Sequence, residues 1–140
     1  MDNNIRHDII LSHYQSPTNK GLIEDNKYIH HSKSSSSCID SIELMVKVNN
    51  GLIEDIKFDG EACAICTSAT SIMITTLIGK IIEEAQKIID NYNKMINEEE
   101  YDKTLLGELN AYDEIYKQPS RKNCALLPID TMSYIIKEVK

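Results

Sequence analysis

Ser41-Ile42-Glu43-Leu44-Met45-Val46-Lys47-Val48 leads through Asn49-Asn50-Gly51 into Leu52-Ile53-Glu54-Asp55-Ile56-Lys57-Phe58. The first stretch alternates, with Ile42, Leu44, Val46 and Val48 on one face and Glu43, Met45 and Lys47 on the other. That is the period-two signature of a strand with one face turned to a core. Asn50-Gly51 offers the two positive φ angles of a tight primed turn, so the two stretches form an antiparallel hairpin. Asp59-Gly60 ends it and delivers the chain to Glu61-Ala62-Cys63-Ala64-Ile65-Cys66.

Working outward, Tyr28 to His31 has the character of a short edge strand, and Ser34 to Ser37 is a polar loop running into Cys38. Before it, Ile5 to Gln15 carries Ile5, Ile9, Ile10 and Leu11 with an Asn or Asp available as a cap, which predicts a first helix. The breaker-rich run Ser16-Pro17-Thr18-Asn19-Lys20-Gly21 stops it. Beyond the hairpin, Thr67 to Ile78 is a helix of small and hydroxylated residues, interrupted by Gly79. Lys80 to Glu99 places Ile81, Ile82, Ala85, Ile88, Ile89, Tyr92, Met95 and Ile96 at helical spacing. A short helix is expected around Leu105 to Tyr116. The last segment, Ser120 to Val139, is helical with Pro128 inside it, which calls for a kink or a break into two helices.

Composition limits what such a chain does. Hydrophobic residues make up 41% and charged residues 26% of the 140, the balance of a globular protein rather than a disordered one. Seven Tyr, one Phe and no Trp leave the core to Ile, Leu, Met and Val. Fifteen basic against twenty-two acidic side chains give a net charge of −7, which argues against a nucleic-acid or anionic-membrane partner. Residues 80–117 hold ten acids and five lysines, most of that excess, and form a solvated helix face. Ala62 to Gly79 lacks charge, but its six Ser and Thr residues and its length fall short of the ~20 apolar residues a membrane span needs. The N-terminus shows no basic region followed by an apolar stretch, so a cytoplasmic location with reduced thiols is expected.

Reduced thiols direct attention to Cys38, Cys63, Cys66 and Cys124. Cys38 lies just before one strand of the hairpin and Cys63 just after its partner, and in an antiparallel pair those ends are neighbours. Alternation puts Asp40 on the same side as Cys38. Cys124 completes a set if the start of the final helix packs against the open end of the hairpin. Three thiolates and a carboxylate suit tetrahedral zinc, and thiolates equally suit an iron–sulfur cluster. A buried thiol acting as a small apolar side chain is the competing reading for any single cysteine. Cys63-x-x-Cys66 also has the spacing of a redox pair, although such pairs usually follow a parallel strand. The four histidines have no ligand-like spacing to the cysteines.

These residues resemble the IscU/NifU-like iron–sulfur cluster assembly proteins, and within them the SufU type. His13-Tyr14-Gln15-Ser16-Pro17-Thr18-Asn19-Lys20-Gly21 is similar to the family's H-Y-x-x-P-x-N-x-G, and Cys38-Ile39-Asp40 to its C-G-D. Gly60-Glu61-Ala62-Cys63-Ala64-Ile65 and the helix Thr67-Ser68-Ala69-Thr70-Ser71-Ile72-Met73 follow the same pattern. So does Pro119-Ser120-Arg121-Lys122-Asn123-Cys124-Ala125-Leu126-Leu127, similar to P-x-R-x-x-C-A-x-L. The stretch around Glu100 to Leu109 resembles the insertion that marks the SufU type. Asn123 stands where IscU scaffolds have histidine, Ile39 where the family has glycine, and Cys66 where many relatives have serine.

The resemblance implies one SufU/IscU/NifU-N-like domain over residues 1–140, with an α+β fold: a small antiparallel three-stranded sheet and helices packed on one side. It implies a zinc site of Cys38, Asp40, Cys63 and Cys124, with Cys66 outside it; iron or an iron–sulfur cluster is the alternative occupant. By the same resemblance Cys38 accepts persulfide sulfur from a SufS-like cysteine desulfurase, a histidine of that enzyme displacing it from zinc, and Arg121 is a nearby cation. The activity implied is zinc-dependent sulfur transfer toward downstream iron–sulfur assembly proteins, with a cluster-building scaffold as the alternative.

Overall fold

The computed structural model describes residues 1–35 and 40–139. Helix α1 covers Asn3–Gln15, strands β1, β2 and β3 cover Ile29–Ser34, Ser41–Asn49 and Leu52–Glu61, and helices α2, α3 and α4 cover Ala64–Leu77, Ile82–Ile96 and Pro119–Val139. The sheet has the order β1-β2-β3 with both pairings antiparallel. Asn50 and Gly51 have φ of 51° and 77°, so the hairpin turn has the conformation its residues favour. Strand β3 runs past the Asp59-Gly60 stop to Glu61, pairing Ser41 with Glu61 and Ile42 with Gly60. Gly60 permits that close pairing: its φ is +146° and a Cβ would overlap the Ser41 carbonyl oxygen.

Ile42, Leu44 and Val46 of β2 and Ile53, Ile56 and Phe58 of β3 are buried in one core with residues of α2, α3 and α4. At about 25 cal/mol per Å² of apolar surface removed from water, this shared face is the principal stabilising contact between sheet and helices. Met45 keeps the face that alternation gives it but is not exposed there. It is fully buried on the opposite face, outside the main core, and its sulfur accepts the Ile23 N–H at 3.4 Å. The segment after α1 folds over that face: Gly21 donates to the Phe58 carbonyl at 2.6 Å, and Tyr28 donates to Asp55 at 2.5 Å.

The uncharged helix is a core element. Ten of its residues are buried, and its buried hydroxyls have partners: Thr70 donates to the Cys66 carbonyl and Ser68 Oγ lies 2.6 Å from the Tyr112 hydroxyl. No helix among the described residues is long and apolar enough to cross a membrane. The Leu105 to Tyr116 expectation is corrected to short 3-10 turns at Lys103–Leu105, Gly107–Tyr112 and Ile115–Lys117. Gly107 at φ 51° interrupts the chain there, and the Asn110 amide binds the Lys103 and Gly107 carbonyls, competing with an α-helical ladder. Pro128 does not split the final helix, which runs unbroken from Pro119 to Val139. Its ring is buried, and packing against β1, β2, α2 and α3 holds the helix together across the hydrogen bond that proline cannot donate.

Candidate metal centre

Each donor is set by a different piece of the fold. Asp40 immediately precedes β2 and is 1% exposed. Its carboxylate accepts the Cys63 backbone N–H at 2.7 Å, and its other oxygen lies 3.5 Å from Cys63 Sγ. Cys63 caps α2, its sulfur accepting the Cys66 N–H at 3.5 Å. The pairing of β2 with β3 therefore carries Asp40 and Cys63 to the same end of the sheet. Cys124 comes from α4, which packs on both α2 and β2, and is 2% exposed. Ligand atoms of Asp40, Cys63 and Cys124 all lie within 4.8 Å of one another.

That spacing suits a metal ion. Bonds of about 2.0–2.3 Å put tetrahedral donors roughly 3.3–3.8 Å apart, so the group needs only a small contraction to close on zinc. The chemistry agrees with the geometry. Burial pushes the Cys124 thiol well above its ordinary range, and the neighbouring Asp40 carboxylate and Cys63 push it further. A buried carboxylate and a buried thiol crowded against the half-buried Cys63 thiol favour a cation that lets the thiols ionise. Cys63, Cys66 and Cys124 are all thiols rather than disulfides.

Cys38 and Ile39 lie outside the described residues, so the fourth expected donor does too. The described chain on either side of them is tied together: Ser35 donates to the Asp40 carbonyl at 2.9 Å, and Ser34 pairs with Ser41. Arg121 is exposed in the first turns of α4, three residues before Cys124, on the helix face that i and i+3 share. Cys66 is fully buried and is not in the donor group.

Spacing alone missed what the His13 to Gly21 motif builds. Ser71 Oγ accepts the Thr18 N–H at 2.8 Å and lies 2.7 Å from His13 Nδ1, while His13 Nε2 reaches Glu108 at 3.1 Å. Asn19, at φ 58°, donates to the Ile56 carbonyl. These bonds hold the motif beside the metal centre, where Tyr14, Pro17, Lys20, Glu61, Cys63 and Thr67 line a groove of about 610 Å³. In the sequence this region is marked by the turn residues Pro17, Asn19 and Gly21 and by the resemblance of His13 to Gly21 to the family motif.

Residues 5–125 match the NifU-like N-terminal domain. The chain belongs to that family. Among its relatives is the zinc-dependent sulfurtransferase SufU of Bacillus subtilis, 34% identical over 120 residues, spanning 85% of this chain and 80% of the relative. The iron–sulfur cluster assembly scaffold protein IscU of Thermotoga maritima is 31% identical over 130 residues, spanning 93% and 91%. The fold is similar to the crystal structure of a protein described as an iron–sulfur cluster assembly scaffold for the SUF system from Fervidobacterium islandicum. That likeness has a TM-score of 0.86 at 30% identity and covers 91% of this chain and 93% of the other. A three-stranded antiparallel sheet with packed helices is thus the family fold, and the Asp40, Cys63 and Cys124 cluster lies at one end of it.

Proposed function

We propose that this protein is a zinc-dependent sulfur acceptor that takes persulfide sulfur from a cysteine desulfurase for iron–sulfur cluster assembly. The observation that carries the proposal is the convergence of Asp40, Cys63 and Cys124 at the end of the hairpin that Cys38 precedes by sequence. Similarity to a zinc-dependent sulfurtransferase over 85% of the chain supports it. Cys38, Asp40, Cys63 and Cys124 are the proposed ligands, in a single domain spanning residues 1–140. Bound zinc would supply a positive centre that keeps the thiols ionised at neutral pH.

The chain's own residues do the rest. The Cys63 N–H fixes the Asp40 carboxylate, so the donors are oriented before any ion arrives. The Cys38 thiolate is the nucleophile. It attacks the terminal sulfur of the desulfurase persulfide, a new S–S bond forms on Cys38, and the donor cysteine departs as a thiolate. Arg121, exposed one turn before Cys124, is placed to stabilise the anions of that exchange or to dock the partner. The desulfurase is of the SufS-like class, the product passes to downstream iron–sulfur assembly proteins, and the reducing cytoplasm keeps the thiols available.

The test is transfer of labelled sulfur from a desulfurase, followed by peptide mapping. Persulfide should appear on Cys38 and vanish in Cys38→Ala; stimulation of the desulfurase by Cys38→Ala equal to that by wild type overturns the acceptor role. Likeness to the Thermotoga maritima scaffold over 93% of the chain favours a second reading, cluster assembly on the same thiols. Reconstitution with iron and sulfide separates them: a stable cluster absorbance that survives desalting supports the scaffold, and tightly held zinc without iron supports the acceptor.

A further inference from the structure

Cys66 is outside the donor group but directly behind one of its members. Cys63 is the cap of α2, with φ −68° and ψ 172°, and Cys66 is the third residue of the helix. The Cys66 N–H points at Cys63 Sγ, 3.5 Å away. Residues three apart on a helix have Cβ atoms about 5–6 Å apart, and a disulfide draws them to about 3.5–4.5 Å. Joining the two sulfurs therefore calls for side-chain rotation and a closing of about 1–2 Å within that first turn, where Cys63, as the cap, already stands outside the helical conformation. The two thiols also differ in access. Cys63 is half-buried and lines the open groove of about 610 Å³, whereas Cys66 is shielded in the core. An outer thiol reachable by a small oxidant and an inner thiol waiting behind it are the two parts of a reactive and resolving pair.

We propose that Cys63 and Cys66 form a peroxide-oxidisable dithiol, whose disulfide withdraws Cys63 from the metal donor set; the consequence for the metal rests on the zinc reading above. The Cys63 thiolate attacks one oxygen of hydrogen peroxide, the O–O bond breaks, hydroxide leaves, and Cys63 becomes a sulfenic acid. Cys66 loses its proton and attacks that sulfur, the S–O bond breaks, and water departs. Two thiols give up two electrons, and one peroxide becomes two waters. With Cys63 turned toward Cys66, Asp40 and Cys124 lose their nearest common donor, and the ion is released. Cys66 thereby holds Cys63 at a reversible oxidation level.

The experiment treats the full chain, metal-free and zinc-loaded, with hydrogen peroxide, then alkylates and digests it with trypsin. Cleavage after Lys57 and Lys80 leaves both cysteines on one peptide, separate from Cys38 and Cys124. In the metal-free chain that peptide should become lighter by two hydrogen atoms, and dithiothreitol should restore both thiols. In the zinc-loaded chain, release of zinc to a colorimetric chelator should follow the same time course. Cys66→Ser should instead gain two oxygen atoms on Cys63, and dithiothreitol should not reverse it. Oxidation of Cys63 while Cys66 stays alkylatable, or a bridge from Cys63 to Cys124 or Cys38, overturns the proposal. Mapping in the metal-free chain is independent of zinc and of sulfur transfer, so failure of either reading is seen separately.

Discussion

The two ends of the β2–β3 hairpin are built by different means. At the turn end, the chain between α2 and α3 docks through its backbone: Ile53 donates to the Lys80 carbonyl, Gly79 to Ile53 and Ile82 to Gly51, each at 2.9 Å. Leu52 and Ile81 complete that end as an isolated bridge. At the open end, a side chain takes over. The Asp40 carboxylate binds the Cys63 N–H, and the thiols of Cys63 and Cys124 gather around it. One end docks through main-chain hydrogen bonds and asks of its side chains chiefly the positive φ angles of Asn50 and Gly51. The other buries the Asp40 carboxylate and the Cys124 thiol beside the half-buried Cys63, a costly arrangement that a bound cation would offset.

This contrast can be broken or sharpened by substitution. The largest effect is expected from Asp40→Ala, which removes a proposed ligand and the acceptor of the Cys63 N–H. Zinc affinity, measured by chelator competition, should fall by more than the roughly 10–100-fold that loss of an outer-shell partner costs. Unchanged affinity would remove Asp40 from the centre.

Next comes Gly60→Ala, which sets a Cβ against the Ser41 carbonyl at a positive φ. Denaturant titration should show a loss of about 3 kcal/mol, and zinc binding should weaken with it, because the same strand pairing seats Asp40 beside Cys63. Gly51→Ala is the matched change at the other end, where nothing crowds the new Cβ and only φ of +77° is strained. It should cost about 1 kcal/mol and leave zinc affinity unaltered. Equal effects of the two glycine substitutions on zinc would show that the ends are not independent.

The smallest effect concerns the flap over Met45. The hydrogen bond to Asp55 holds the Tyr28 hydroxyl in its neutral form and pushes its pKa up to about 12 from 10.0. The folded value is above the unfolded one, so the bond's contribution is complete below pH 10 and is lost as pH rises through about 12. Tyr28→Phe should lower stability by about 1 kcal/mol at neutral pH and flatten that alkaline loss. Thermal unfolding at several pH values checks it, and an identical alkaline profile in the variant would assign the loss elsewhere.

Legibility followed the range of the interactions. The alternation of Ile42, Leu44 and Val46 and the Asn50-Gly51 turn are local, and the hairpin has the expected pairing with β3 extended to Glu61. Alternation sets Met45 with Glu43 and Lys47 but carries no information about the Gly21 to Tyr28 segment that buries it. Pro128 is the residue that calls for a kink or a break, and packing against β1, β2, α2 and α3 excludes the break. Hairpin geometry makes Cys38 and Cys63 neighbours and alternation sets Asp40 on the side of Cys38; the structure has Asp40 beside Cys63, and Cys38 lies outside the described residues. Cys124 required the docking of α4, which no spacing encodes.

Sequence by itself therefore determined the inventory of four cysteines, the hairpin that brings Asp40 to Cys63, the net charge of −7 and the family motifs. Those depend on residue identity and on contacts between nearby strands. Only the tertiary structure decided that Cys124 closes on the pair, that the His13 to Gly21 motif walls a groove beside Cys63, and that Cys66 stands behind Cys63 in the core. Each of those depends on where a helix is buried, and burial is a property of the whole packed chain rather than of any window within it.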